Sequence, residues 1–354
     1  MVAKLVLLFL FGWVGVAWGQ EVIENNSIVY DSDRKSNPIF DSLNYNIREN
    51  HRILQYHDPI LYLGAFPIFR PASERRTPLE DREGKKGYWL EGDMNYRFDL
   101  YKGAYYSPGA TRPLRVTFDA GFTVRMTRDE SSPLLPTNNR FGIGLDYMLS
   151  ELFKPKNSSI NFWLTVLAHH YSNGQSKTDF FHEDGLRNNY KNGDFSTNYI
   201  RFLWYISKRC QHNNLFSAGL GYQRDGGVAG PFILAEEMKN GHYGQNRLLL
   251  NIQALRIPGF SIDDDGNTRW LTRRTKMSFR TEMSLILDQD LVGISTTNNL
   301  YRFGAHNYFT YFPAEKGRVG LMVKHYFGRD YMNMRYDDVV NAWMVGLTID
   351  MNRY

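Results

Sequence analysis

The sequence predicts an all-β fold, a twelve-stranded antiparallel transmembrane β-barrel of the bacterial outer membrane. Three observations predict it. Polar and apolar residues alternate along many segments, 23 tyrosines and 23 phenylalanines occur among 354 residues, and the first residues read as an export signal. Strands that cross a bilayer turn alternate side chains to lipid and to a polar interior, so they show this alternation over about ten residues.

Residues 1–19 are predicted to form a secretory signal peptide. Lys4 precedes an apolar run over 5–12, and small residues follow it, which is the order of features in such peptides. The run is too short for a membrane-spanning helix. Residues 20–58 are polar and have no strong period, so we expect a periplasmic N-terminal segment ahead of a barrel over 59–354.

Twelve segments show the alternation and are predicted strands. Their bounds are 59–68, 88–101, 113–127, 138–149, 159–172, 196–208, 214–224, 245–256, 275–287, 301–312, 317–329 and 339–352. An even number is expected for a closed bacterial barrel with both ends in the periplasm. A soluble β-sandwich also alternates, but these segments are long enough to cross a bilayer at a tilt. Their polar faces also carry charges of both signs, which can pair inside a small barrel.

Composition narrows the classes of function. The single cysteine, Cys210, excludes an intrachain disulfide framework. The net charge of +5 is modest for this length and does not indicate a nucleic-acid partner. A twelve-stranded interior is largely filled by side chains, which argues against a wide pore. The acidic run 263–265 lacks the later ligands of a calcium loop and is interpreted as a turn.

The fifth predicted strand carries the most informative motif. Its even positions are apolar up to Ala168, and then follow His170 and Ser172. Because residues two apart on a strand share a face, both side chains are predicted to face lipid at the outer end. Asn198 has the matching place on the sixth strand, so a hairpin would bring it close to His170. A serine beside a histidine indicates a base-activated nucleophile.

These residues resemble the motifs of the outer membrane phospholipase A family. Members carry His-x-Ser-Asn-Gly and then Ser-x-Asn at the start of the next strand, which correspond here to 170–174 and 196–198. Upstream, Glu-Ser-Ser-Pro at 130–133 and Thr-Asn at 137–138 resemble the family's second outer loop. The resemblance in barrel layout extends from about residue 59 to the end.

The resemblance implies a phospholipase of the A1/A2 type that hydrolyses acyl esters of phospholipids. Ser172 would be the nucleophile, His170 the general base, and Asn198 the acceptor that orients the imidazole. Family members also use calcium and are active as homodimers, so the resemblance implies Ca²⁺ and a second copy of the chain. Calcium would help to stabilise the oxyanion.

The same resemblance implies where calcium binds. Ser131 has the position of a loop serine that the partner subunit contributes, and Gln175 stands where the family has an arginine whose backbone oxygen binds the ion. The family's acidic position two residues further on is Lys177 here. Other oxygen donors are available in the same loop, and the sequence leaves the choice among them open. They are Thr178, Asp179 and Asp194.

Two other functions remain open at the level of the sequence. Outer membrane lipid A deacylases also use a His-x-Ser-Asn pair, with a carboxylate about a dozen residues on, where this chain has Glu183 and Asp184; that family has a smaller barrel. A non-catalytic barrel, either a channel or an adhesin, is the second alternative. A phospholipase should need Asn198, a lipid A deacylase should need Asp184 or Glu183, and a non-enzyme should not need Ser172.

Overall fold

Twelve strands of the chain close into one antiparallel barrel, which confirms the predicted fold class. The protein is described by a computed structural model. The described residues are 58–71, 87–102, 114–128, 130–131, 134–149, 160–173, 193–209, 214–226, 243–256, 260–262, 268–270, 277–288, 302–313, 318–332 and 339–350. They contain no helix that is long and apolar enough to cross a membrane. The predicted signal peptide and nearly all of the predicted N-terminal segment lie outside them.

Fourteen strands occur in the described residues. They are β1 (Leu61–Pro71), β2 (Tyr88–Lys102), β3 (Leu114–Thr127), β4 (Asn138–Met148), β5 (Ile160–Ser172), β6 (Ser196–Arg209), β7 (Asn214–Asp225), β8 (Asn246–Arg256), β9 (Phe260–Ile262), β10 (Thr268–Trp270), β11 (Met277–Ile286), β12 (Phe303–Tyr311), β13 (Val319–Arg329) and β14 (Val339–Ile349). The twelve barrel strands match the predicted segments, with bounds that differ by a few residues. The separate hairpin of β9 and β10 was not predicted, because strands of three residues are too short to show a period.

Strands that follow one another in the chain are neighbours in the barrel, with one exception: β9 and β10 form a separate hairpin between β8 and β11. There β8 pairs directly with β11, and β14 closes the sheet by pairing with β1. Closure leaves no barrel strand with an unpaired edge, which is the condition for a sheet to exist in lipid. The end of the barrel at which β5 ends and β6 begins is called the outer end.

Side chains alternate between the outside of the wall and the interior. On β5, Phe162 is exposed on the outside while Trp163 and Leu167 are buried inside. The same alternation runs through β13 and β14, where Leu321 and Val345 are among the exposed apolar residues. An apolar belt around a closed barrel with a polar interior is the surface that a bilayer requires. The protein is therefore a barrel of the bacterial outer membrane.

Paired charges fill much of the interior, as the mixed charges of the polar faces predict. Asp58 accepts hydrogen bonds from Arg115 at 2.8 Å and from Arg97 at 3.3 Å. Nearer the outer end, Glu91 lies 3.0 Å from Nζ of Lys324 and 2.9 Å from Nε of Arg125. Buried charges require such partners, since an unpaired ion in the interior costs several kcal/mol, about 3 to 5 when one partner is removed.

Candidate active site

Strands β5 and β6 place the candidate residues on the outer wall of the barrel. Their register pairs His170 with Asn198 and Ser172 with Ser196. Even-numbered residues of both strands face outward, whereas the odd-numbered residues whose burial is described face the interior, where all but the half-buried Arg201 are buried. The apolar residues of these strands therefore face lipid, and the polar residues that follow them with the same parity face lipid too.

His170 is held between side chains of two neighbouring strands. Its Nδ1 lies 2.9 Å from Oδ1 of Asn198 on β6. Its ring packs against Phe141 on β4, with 4.8 Å between the ring centroids. Because an amide oxygen only accepts hydrogen bonds, Nδ1 carries the proton and Nε2 keeps a free lone pair. The contact with Asn198 thus gives His170 the tautomer that a general base needs.

Ser172 lies at the end of β5 on the same face as His170. Its neighbours across the sheet are Asn139 on β4 and Ser196 on β6. Two residues along a strand span about 6.6 Å, and within the described part of the chain no hydrogen bond joins Ser172 to His170. Side-chain rotation is needed to bring Oγ to Nε2, as is common for catalytic hydrogen bonds that tighten when substrate binds.

Asn173 closes the base of the loop that follows Ser172. Its side-chain amide donates to the carbonyl of Gly193 at 2.6 Å, and its Oδ1 accepts from the backbone N–H of Phe195 at 3.1 Å. Its own N–H donates to the carbonyl of Phe195 at 3.0 Å. One buried side chain therefore fixes the two ends of the loop next to the candidate nucleophile.

His169, the neighbour of His170, belongs to the interior, as its parity predicts. Its Nδ1 lies 2.8 Å from the hydroxyl of Tyr199, and its Nε2 lies 3.0 Å from Oδ2 of Asp119. Asp119 in turn accepts two hydrogen bonds of 2.8 Å from Arg97. These contacts tie His169 into the interior ion pairs and separate it from the lipid-facing residues.

Of the five candidate calcium ligands, only Ser131 and Asp194 lie in the described part of the chain. Ser131 is exposed in the turn after β3, with a φ of 62°. Asp194 is half-buried, two residues before Ser196. Gln175, Thr178 and Asp179 fall outside the described residues. The described residues contain no group of three His, Cys, Asp or Glu that could hold a metal ion. The donors that are described, one carboxylate and hydroxyl oxygens, have the chemistry that suits calcium.

A second outward-facing histidine, His325, was not predicted from the sequence. Nε2 of His325 on β13 lies 3.0 Å from Oδ1 of Asn341 on β14, and its Nδ1 lies 3.3 Å from Nδ2 of Asn307 on β12. The ring also stacks on Trp343, with centroids 4.4 Å apart. Both ring nitrogens are occupied, so His325 has no basic nitrogen to offer. The sequence signal that could have indicated it is a polar residue among the apolar outward-facing residues of each of β12, β13 and β14.

The barrel is similar to several solved outer membrane proteins. Outer membrane phospholipase A from Escherichia coli is 12% identical with a TM-score of 0.49, over 82% of this chain and 89% of that chain. An outer membrane phospholipase dimer with bound calcium, from Salmonella typhi, is 11% identical with a TM-score of 0.49, over 82% and 90%. LpxR from Salmonella typhimurium is 8% identical with a TM-score of 0.36, over 82% and 99%.

At such identities the likeness concerns the barrel fold alone. No protein-family model and no curated protein matches the chain. A porin, NanC, is similar over 82% of this chain as well, with 9% identity.

Proposed function

We propose that this protein is an outer membrane phospholipase of the A1/A2 type, which hydrolyses acyl esters of phospholipids at Ser172, His170 and Asn198. One observation carries the proposal: a histidine on the lipid-facing wall has its Nδ1 fixed by an asparagine at 2.9 Å, beside a serine on the same strand face. Polar groups exposed to lipid are costly and are usually functional. The motif resemblance around these residues supports the same chemistry.

The proposed reaction is a two-step acyl transfer. His170 Nε2 takes the proton of Ser172 while Oγ attacks the ester carbonyl, and His170 then gives that proton to the departing lysophospholipid oxygen. Water, activated by the same nitrogen, hydrolyses the acyl-serine and releases the fatty acid. Asn198 keeps the imidazole oriented throughout. As a neutral group it stabilises the imidazolium less than a carboxylate would.

Calcium belongs to this proposal as the cofactor, with Asp194 and Ser131 as its described donors and Gln175 and Asp179 as further candidates. When bound near the serine, the ion would supply positive charge where the oxyanion develops. A homodimer belongs to it as well, with Ser131 supplied by the second copy. Both features rest on the family resemblance.

The test is release of fatty acid from phospholipid in detergent micelles, measured with excess calcium and with EDTA. The variant is Ser172→Ala, and its matched control is Ser278→Ala, the same change at a serine of β11 that is bonded to Thr310. We expect calcium-dependent hydrolysis that Ser172→Ala abolishes and Ser278→Ala preserves.

The outcomes separate the proposal from the two alternatives. A folded protein that leaves phospholipid intact but deacylates lipid A would overturn the phospholipase proposal in favour of a lipid A deacylase. Such an enzyme should lose activity in Asp184→Asn or Glu183→Gln, two loop positions outside the described residues. A folded protein that leaves both lipids intact is a non-catalytic barrel.

A further inference from the structure

We propose that the outer half of the barrel interior binds a small oxyanion of the phosphate class, held by Arg140, Arg201 and Arg247. These arginines line a cavity of about 290 Å³ inside the barrel. That volume is at the small end of ligand sites, so it suits a small molecule. The site faces the interior and is separated by the wall from the lipid-facing residues, so the inference is independent of the proposed function.

The register of the sheet brings two of the arginines to either side of one glutamine. Arg201 on β6 pairs with Gln223 on β7, and Gln223 pairs with Arg247 on β8. Adjacent strands are about 4.8 Å apart, so the two arginine backbones lie about 10 Å apart. Both side chains extend into the interior from the same level of the wall and line the same cavity.

The guanidinium group of Arg201 is bonded to a neutral partner. Its Nε and Nη2 both donate to Oε1 of Gln223, at 2.8 and 2.6 Å. The amide nitrogen of Gln223 donates onward to Asp225 at 2.9 Å, and Asp225 also lies 2.8 Å from Nε of Arg247. One carboxylate thus serves the pair of arginines, and the positive charge of Arg201 is not neutralised by its hydrogen-bond partner.

Arg140 is also incompletely compensated. Its contact with Asp93 is 3.4 Å long, and within the described residues its Nε is buried with no hydrogen-bond partner. The carboxylates in direct contact with these three guanidinium groups are therefore two, those of Asp93 and Asp225. Guanidinium groups bind phosphate by parallel pairs of charge-assisted hydrogen bonds, and an oxyanion here would complete both the charge and the hydrogen bonds.

In the inner half of the barrel, carboxylates outnumber the arginines that they contact. There, the guanidinium groups of Arg97 and Arg115 are bonded to several carboxylates each. Those carboxylates belong to Asp58, Asp99, Asp119 and Asp146. Ion pairs that serve only to fill a barrel are expected to have at least as many carboxylates as arginines. Here four carboxylates contact two arginines. Arg97, Asp119 and Asp146 line the inner part of the same cavity, so the arginines with few carboxylate partners lie toward its outer end, where we place the anion.

The experiment measures the thermal unfolding midpoint of the full-length barrel in detergent, with inorganic phosphate titrated against sodium chloride at equal ionic strength. A ligand that binds the folded state raises the midpoint as its concentration passes Kd. We expect a phosphate-specific rise in the parent protein. Equal midpoints in phosphate and chloride would overturn the proposal. This measurement uses the parent protein alone, so it does not require that any variant folds.

Two variants locate the site. Arg201→Gln should weaken phosphate binding in calorimetry by about tenfold or more, since it removes a charge-assisted pair. Arg224→Gln is the matched control, because this arginine of β7 lies at the same end of the barrel but is exposed on the outside, and it should bind like the parent. Equal affinities for the parent and Arg201→Gln would overturn the assignment. Repeating the titration with glycerol 3-phosphate distinguishes a phosphate monoester from free phosphate as the preferred ligand.

Discussion

His170 and His325 lie six strands apart around a twelve-stranded barrel, on opposite sides of the outer wall. Each shares a hydrogen bond with an asparagine of the next strand, at 2.9 Å to Asn198 and 3.0 Å to Asn341. The two pairs differ in what else they touch. His170 lies next to Ser172, and among the described residues its Nε2 has no hydrogen-bond partner, whereas both nitrogens of His325 are engaged. The second pair is therefore a matched control for the first.

Replacing His170 should reduce hydrolysis sharply. His170→Ala removes the proposed base, and general base catalysis contributes about 10²- to 10⁴-fold, so kcat should fall by at least that factor. His325→Ala makes the same change on the opposite wall and should leave kcat near that of the parent. The measurement is fatty-acid release under saturating calcium. Equal losses in both variants would mean that lipid-facing histidines support the barrel and not the reaction.

Replacing Asn198 should slow the reaction without stopping it. Asn198→Ala removes the hydrogen bond that orients His170, and a bond of this kind is worth about 1.5 to 3 kcal/mol to the imidazolium. We expect kcat to fall about ten- to a hundredfold while KM stays similar. Asn341→Ala is the control and should retain kcat. An Asn198→Ala enzyme with the parent's kcat would remove Asn198 from the site.

Asn173 should act as a positioning residue for the loop beside Ser172. Asn173→Ala leaves the carbonyl of Gly193 and the N–H of Phe195 without their partner. The unfolding free energy should drop by about 1 to 3 kcal/mol, and kcat should drop as well. The control is Asn161→Ala, a buried asparagine at the inner end of β5, which should lose stability but keep the parent's kcat. Equal losses of kcat in both variants would mean that Asn173 contributes to stability and does not position the loop for the reaction.

Asp194 should set the calcium requirement. Asp194→Asn removes the one described carboxylate among the proposed ligands, so the calcium concentration for half-maximal activity should rise about tenfold or more. Activity at saturating calcium should largely return. Asp350→Asn, at the opposite end of the barrel, is the control and should titrate like the parent. An unchanged calcium titration in Asp194→Asn would assign the ligands to other oxygens of the loop.

Gly142 should tolerate no side chain, because β4 and β5 approach closely beside His170. A Cβ at this position would lie 2.2 Å from the carbonyl oxygen of Ala168 and 2.6 Å from Cα of His169. Gly142→Ala should therefore cost about 1 to 3 kcal/mol in urea unfolding. At Gly92 the added Cβ would stay 3.4 Å or more from its neighbours, so Gly92→Ala is the control. Equal midpoints for the two variants would contradict the close approach.

The strands and the His170–Asn198 contact could be predicted because both follow from a period of two. Once alternation fixes which face meets lipid, parity assigns His170, Ser172 and Asn198 to that face, and the hairpin brings β5 and β6 together. His169 is assigned to the interior by the same rule. No further information is needed, since a shift of one residue would turn every apolar side chain inward.

Contacts between distant parts of the chain could not be predicted in this way. The ion pair of Arg125 with Asp330 joins residues 205 positions apart, and alternation says nothing about which interior charges meet. Phe141 reaches His170 only through the register of β4 with β5. The network around His325 needed the registers of three strands at once. Pairing partners inside a barrel depend on strand stagger, which a single sequence does not show.

The outward position of Ser172 and His170 has a consequence for the kinetics of the proposed reaction. A phospholipid would reach these residues by lateral diffusion within its own leaflet and would not have to leave the bilayer. The rate should then follow the mole fraction of substrate in the membrane or micelle, and not its concentration in the bulk solution. Adding inert detergent at constant phospholipid should slow the enzyme, because the substrate is diluted in the two dimensions in which the protein meets it.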